Sequence, residues 1–66
     1  MNPLQITITP TMICFKELPD YMANKFHDEY GLLWNDKSRE YYITSDPANL
    51  YKIILSLSYE YDIEVN

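Results

Sequence analysis

A chain of 66 residues forms one domain at most, and a domain of this size buries only about 60% of the surface that its unfolded form exposes. Apolar residues make up 47% of the chain and there is a single glycine, which excludes a disordered segment and predicts a compact domain with short connections. The formal net charge of −5 disfavours contact with nucleic acid and anionic membranes, and it favours partners with basic surfaces.

The cysteine and histidine content limits the ways in which a domain with so small a core can be stabilised. Cys14 is the only cysteine, so a disulfide within the monomer is excluded and a reducing cytoplasm is the expected location. Cys14 and His27 fall short of the four ligands of a structural zinc site, and no stretch has the pattern of a calcium loop. We expect no metal and no other cofactor, which leaves a protein partner or self-association as the reinforcement.

Residue usage indicates the cellular context. No apolar run approaches the roughly 18 residues of a membrane span, and the pattern of a signal peptide is missing, so we expect a soluble protein without a membrane partner. The chain favours Ile, Tyr and Asn, whose codons are rich in A and T. This usage suggests a bacterial or phage genome, and therefore the cytoplasm of a bacterial cell or of a phage-infected host cell.

The first predicted element is a strand over residues 4–9. Leu4, Ile6 and Ile8 alternate there with polar residues, which is the period of a strand with one buried face. Pro10 interrupts the ladder because it has no amide donor. Residues 12–15 either continue the same strand past a bulge, which we favour, or pair back on it as a hairpin.

A helix is predicted over about residues 18–30. Pro19 suits the first helical position and Gly31 ends the helix. Its apolar stripe repeats at every fourth residue and consists of Leu18, Met22, Phe26 and Tyr30.

Two short strands, residues 32–34 and 39–44, are predicted next, joined by a polar loop typical of a hairpin. If Trp34 pairs with Arg39, the residues separate into two faces of the sheet. One face carries Leu32, Trp34, Tyr41 and Ile43, and the other carries Leu33, Glu40 and Tyr42.

The second helix has the clearest start, with Asp46 as N-cap and Pro47 in the first turn, followed by a stripe of Leu50, Ile53, Ile54 and Leu57. A last strand covers residues 62–65. The order strand-helix-strand-strand-helix-strand predicts a single α+β domain over residues 1–66 with a ferredoxin-like split β-α-β arrangement, in which both helices cover one face of an antiparallel sheet. A hairpin at residues 4–15 would give an α+β domain of different topology.

Nothing in the sequence predicts catalysis. His27 has no nucleophile at a suitable spacing, and its neighbour Asp28 is too close in sequence to face it on a helix. Cys14 lies between Ile13 and Phe15 in a predicted strand, where a thiol behaves as a small hydrophobe. We expect no enzymatic activity.

The densest anionic feature is the segment 59–65. In an extended strand Glu60, Asp62 and Glu64 would lie on one side at intervals of about 6.5 to 7 Å, similar to successive phosphates of a DNA strand. The segment predicts either a mimic of a nucleic-acid backbone or a solvated edge that is kept acidic against aggregation.

Tyrosine is the second unusual feature, with seven tyrosines against two phenylalanines. Its large ring and polar tip make it a frequent interface anchor. We expect the exposed ones among Tyr42, Tyr51, Tyr59 and Tyr61, and Trp34 is either core or anchor. The basic, glycine-rich motif of RNA-recognition domains is missing, so we expect no direct contact with nucleic acid.

These features predict a small acidic protein that binds another protein, as an inhibitor or modulator of the phage type that covers the basic surface of a nucleic-acid-handling protein. The alternative is a self-associating structural or regulatory module, a homodimer formed through edge strands or the open sheet face. The predicted interaction residues are Trp34, Tyr42, Tyr59, Glu60, Tyr61, Asp62 and Glu64.

Overall fold

The computed structural model describes residues 3–66, which form two helices and one sheet of five strands. The strands lie in the order β3-β4-β2-β1-β5. The elements in chain order are β1 (Leu4–Thr9), β2 (Met12–Phe15), α1 (Asp20–Tyr30), β3 (Leu33–Asn35), β4 (Glu40–Thr44), α2 (Pro47–Glu60) and β5 (Ile63–Val65).

Residues 4–15 form a hairpin rather than one bulged strand. β1 and β2 pair antiparallel, with Ile8 opposite Ile13 and Thr9 opposite Met12. The chain reverses at Pro10, where the missing amide hydrogen ends the ladder. The Thr9 hydroxyl donates a hydrogen bond of 3.4 Å to the Met12 carbonyl across the turn. The prediction of a continuous strand is therefore wrong, and the hairpin alternative is correct.

The predicted α+β class is confirmed, with an order compatible with a small ferredoxin-like fold. α1 connects β2 to β3 across the intervening β4, and α2 connects β4 to β5. β1 is an additional strand between β2 and β5, and it pairs parallel with β5 through Leu4–Ile63 and Ile6–Val65. The sheet is therefore mixed rather than wholly antiparallel.

Both helices pack on one face of the sheet and share a single apolar core. Phe15 of β2 and Phe26 of α1 lie at its centre, with their ring centroids 5.7 Å apart. The predicted helical stripes face the core, with Tyr30 and Ile54 only partly buried; Leu18, predicted as the first residue of its stripe, precedes α1 and is partly buried. The buried residues are Leu4, Ile6, Ile13, Phe15, Met22, Ala23, Phe26, Leu32, Ile43, Leu50, Ile53 and Leu57.

α1 begins at Asp20, two residues later than predicted. Pro19 is the N-cap and is extended, and its carbonyl accepts the amide hydrogen of Ala23 at 2.9 Å. The helix ends as predicted at Gly31, which has a φ of 71° and donates to the His27 carbonyl at 3.1 Å. This left-handed conformation has no steric cost for glycine.

α2 begins as predicted and extends through Glu60. An Asp46 carboxylate oxygen accepts the Asn49 amide hydrogen at 3.1 Å, and Pro47 occupies the first turn. At the other end the Tyr61 amide donates to the Leu57 carbonyl at 2.8 Å. Leu57 is buried, so core packing holds the last turn of the helix in place.

The β3–β4 hairpin has a register two residues away from the predicted one. The Asn35 carbonyl accepts the Arg39 amide hydrogen at 2.7 Å, and Arg39 is left-handed with a φ of 57°. The loop therefore closes at Arg39, and Trp34 pairs with Tyr41. Because side chains alternate with a period of two, a shift of two residues leaves the predicted division between the faces unchanged.

Candidate functional site

An open cleft of about 970 Å³ lies between the start of α1, the end of α2 and the start of β1. We call it the acidic cleft because three carboxylates and no lysine or arginine occur among its described lining residues. The lining consists of Pro3, Leu4, Gln5, Glu17, Leu18, Pro19, Tyr21, Met22, Ser58, Tyr59, Glu60, Tyr61 and Asp62.

Two of the three carboxylates have no ionic partner within residues 3–66. Glu17 lies three residues before the start of α1 and Asp62 lies two residues after the end of α2, and both are exposed. The backbone of Asp62 is fixed because its carbonyl accepts the Leu4 amide hydrogen at 2.8 Å, which continues the parallel pairing of β1 and β5. Among residues 3–66 these two negative charges are unpaired and exposed, so the cleft presents them to a ligand.

The third carboxylate, Glu60, is bound by Lys25 of α1. The Lys25 ammonium lies 2.9 Å from Glu60 Oε2, 3.5 Å from the Tyr61 hydroxyl and 5.8 Å from the Tyr61 ring centroid. The hydrogen bond to Glu60, followed by that to Tyr61, raises the pKa of Lys25 above its ordinary value, so Lys25 stays charged. Both side chains are about half exposed, so water screens this pair, which joins the end of α2 to α1.

Tyr61 forms part of the cleft wall and also packs against the core. Its ring meets Phe26 edge to face, with centroids 5.8 Å apart and an interplanar angle of 81°. Tyr61 is consequently half-buried, and the prediction that it is exposed is wrong. Its contacts with Phe26 and Lys25 come from α1, which the local sequence around Tyr61 does not reveal.

Two exposed tyrosines form the rim of the cleft. Tyr59 is 89% exposed and Tyr21 is 74% exposed. Helical periodicity explains both, because each lies outside the stripe that faces the sheet. Tyr59 was predicted to be exposed, whereas sequence reasoning missed Tyr21, whose position beside the apolar stripe of α1 was the available signal.

The predicted row of Glu60, Asp62 and Glu64 on one extended strand is wrong. Glu60 lies in the last turn of α2, Asp62 lies in the connection, and only Glu64 belongs to β5, where it is opposite Gln5. The row fails because the buried Leu57 keeps the chain helical through Glu60. Glu60 and Asp62 instead line the acidic cleft, and a regular spacing that imitates DNA phosphates is absent from this described segment.

The other predicted interaction residues lie outside the cleft. Trp34 of β3 is 47% exposed, packs on Tyr41 at a centroid distance of 4.8 Å, and donates from Nε1 to Asp36 at 3.0 Å. Tyr42 is half-buried and lies opposite Cys14 in the sheet, so the prediction that it is exposed is also wrong. Tyr51 is exposed as expected, but on α2 away from the cleft lining. A binding role for Trp34, Tyr42 or Glu64 stays a prediction.

His27 and Cys14 are the two residues considered for catalysis. His27 is exposed, with Nδ1 at 3.5 Å from Asp28 Oδ1, so the expectation that these neighbours do not approach each other is wrong. Cys14 is half-buried, and its burial, followed by the charge of Glu40, raises the pKa of the thiol and so reduces its nucleophilic form. Within residues 3–66, no group of three or more His, Cys, Asp or Glu is arranged to hold a metal ion.

Neither α1 nor α2, the helices of the described chain, has the length and apolar character needed to cross a lipid bilayer. No protein-family model, no curated protein and no solved structure matches this chain.

Proposed function

We propose that this protein binds another protein through the acidic cleft, which receives a lysine- or arginine-bearing segment of the partner. The observation that carries the proposal is that two exposed carboxylates, Glu17 and Asp62, share one concave surface with the exposed rings of Tyr21 and Tyr59. Cations form charge-assisted hydrogen bonds with carboxylates and stack on aromatic faces. Carboxylates beside tyrosine rings are therefore suited to ammonium and guanidinium groups.

The partner class follows from charge. A net charge of −5 steers the protein towards basic surfaces and away from nucleic acid. Extended basic surfaces are typical of proteins that handle DNA or RNA, because such surfaces neutralise phosphates. A protein bound there would displace the nucleic acid, so we propose an inhibitor or modulator of the phage type, acting in the cytoplasm of a bacterial cell or of a phage-infected host cell.

The cleft residues have separate roles in this proposal. Glu17 and Asp62 supply charge, and Tyr21 and Tyr59 supply contact area that loses water on binding. Glu60 is shared with Lys25, so its charge contributes less to a ligand than the other two carboxylates do.

A titration with a labelled arginine-rich peptide tests the charge requirement. The double variant Glu17→Gln, Asp62→Asn should weaken binding by about tenfold and flatten its dependence on salt, because two charge-assisted contacts are lost. The matched control is Asp28→Asn, Glu29→Gln, which removes the same net charge from α1 outside the cleft lining. Equal weakening by both variants would show attraction by total charge only and would contradict a binding cleft.

A capture experiment tests the partner class. The immobilised protein is exposed to bacterial lysate at low salt, and proteins eluted by a salt step are identified by mass spectrometry. We expect a basic nucleic-acid-processing protein whose DNA or RNA binding is inhibited by the wild type but not by the Glu17→Gln, Asp62→Asn variant. A captured protein that is retained equally by the variant, or that still binds its nucleic acid, would argue against the proposed inhibition.

A further inference from the structure

The outer face of α2 carries an exposed apolar stripe on an otherwise acidic protein. Tyr51, Leu55 and Tyr59 repeat at every fourth residue and are 62%, 42% and 89% exposed. The opposite face of the helix already packs in the core, so this stripe is a second apolar surface on the same helix. Nothing in residues 3–66 covers it, since all three side chains are exposed.

Charge is nearly absent from this helix. The chain has ten acidic residues, yet α2 contains only Glu60, which Lys25 binds, and the single cation Lys52. Two copies with a net charge of −5 each repel one another wherever carboxylates meet. The outer face of α2 is a surface on which two copies approach with little of that repulsion.

We propose that a second copy of this chain docks on the outer face of α2, with the two α2 helices antiparallel around a twofold axis beside Leu55. In this arrangement Leu55 of one copy meets Leu55 of the other. Tyr51 then lies beside Ser58 of the second copy, and Lys52 lies beside Tyr59 of the second copy. The two members of each pair lie at nearly the same distance from Leu55, in opposite directions along the helix.

Charge complementarity favours the antiparallel over the parallel arrangement. Each Lys52 then lies beside the Tyr59 ring of the other copy and near its helix C-terminus, which is the negative end of the helix dipole and carries Glu60. Each Tyr51 ring lies over the small Ser58 side chain, which leaves room for it. A parallel pair would instead place Lys52 beside Lys52.

The contact is small, so the dimer is expected to be weak. A helix of 14 residues is about 21 Å long and presents a strip roughly 10 Å wide. A stable interface buries about 800 Å² per partner, which is a sixth of the 4768 Å² surface of this protein. The strip on α2 is smaller than that area. Dimerisation is therefore expected only at concentrations of roughly 10 μM to 1 mM.

Sedimentation equilibrium across that concentration range tests the dimer. The wild type should shift from monomer towards dimer mass, and Leu55→Lys should weaken association by about tenfold because it places two charges at the axis. The control is Leu33→Lys, which alters a comparably exposed leucine, 44% against 42%, on the edge strand β3. A monomer at every concentration, or a dimer lost in Leu33→Lys and kept in Leu55→Lys, would overturn the proposal.

A thiol cross-link tests the orientation, and circular dichroism confirms that each variant is folded. In a Cys14→Ser background, a chain with Tyr51→Cys is mixed with a chain with Ser58→Cys under mild oxidation. The antiparallel dimer predicts a mixed disulfide in excess of either symmetric one, because only that pair brings the two Cβ atoms close. An excess of the Tyr51→Cys homodimer would contradict the antiparallel arrangement. Leu55 does not line the acidic cleft, so Leu55→Lys tests the dimer without changing a cleft residue, whereas Ser58 and Tyr59 belong to both surfaces.

Discussion

Phe26 provides the sharpest test of how the core supports the cleft. It is 1% exposed and contacts three aromatic rings, those of Phe15, Tyr30 and Tyr61, at centroid distances of 5.7, 5.7 and 5.8 Å. Truncation of a buried Phe to Ala costs about 3 to 5 kcal/mol. The entire stability expected of a chain this short is also about 3 to 5 kcal/mol. We therefore predict that Phe26→Ala leaves the protein largely unfolded at 25 °C.

The milder substitution Phe26→Leu separates loss of ring contacts from loss of volume. It keeps a large apolar side chain but removes ring pairs that contribute about 0.5 to 1.5 kcal/mol each and are not additive. We expect a loss of about 1 to 2 kcal/mol, and a decrease in Tm of roughly 4 to 16 °C for a domain of this size.

Thermal and urea unfolding followed by far-UV circular dichroism measure both effects. The control is Tyr21→Leu, which alters a 74% exposed ring on the same helix and should change the free energy of unfolding by less than about 0.5 kcal/mol. A folded Phe26→Ala with an unchanged urea midpoint, or a control as damaging as Phe26→Leu, would refute this description of the core.

Two further predictions concern single residues. Asp46→Ala should lower the free energy of unfolding by about 1 kcal/mol because the hydrogen bond from the Asn49 amide is lost. Asp46→Asn should keep most of that free energy. Equal losses for the two variants in urea unfolding would argue against capping by Asp46. The reaction of Cys14 with iodoacetamide should have a higher pH midpoint in the folded protein than in the protein unfolded by urea, because burial raises the pKa of the folded thiol. Glu40→Gln should lower the midpoint of the folded protein. An unchanged midpoint in that variant would exclude a contribution of Glu40. Because the folded thiol holds its proton more tightly, its contribution to stability is present at neutral pH and decreases as pH rises above the pKa of the unfolded thiol.

Elements specified by local chemistry were predictable. The start of α2 depends on Asp46 and Pro47, which act within one turn, and the end of α1 depends on Gly31. The helical stripes and the alternation of Leu4 and Ile6 in β1 reflect burial against one core, so they appear in the sequence as periods, whereas Ile8 at the end of the predicted buried face is 39% exposed.

Features that depend on distant pairing were not predictable. The insertion of β1 between β2 and β5 depends on parallel bonds such as that from the Asn66 amide to the Ile6 carbonyl, at 2.8 Å, between residues far apart in sequence. The choice at Pro10 between a bulge and a turn also depends on where β2 finds its second partner, β4.

Half of the candidate site was visible in the sequence. Tyr59 and Asp62 belong to the anionic segment that the composition singles out. Glu17 carries no local signal and Tyr21 carries only its position beside the apolar stripe of α1, and both join the cleft through the packing of α1 against the end of α2. An extended strand was expected at Glu60 because its alternating neighbours resemble one, but burial of Leu57 favours the helix.

The most direct test of the central claim is an NMR titration of the ¹⁵N-labelled protein with an arginine-rich peptide. The acidic cleft predicts amide shift changes concentrated at residues 17–22 and 58–62, which are far apart in sequence and adjacent in the fold. Changes confined to β3 and β4, around Trp34 and Tyr42, would contradict it and would place binding on the other side of the molecule.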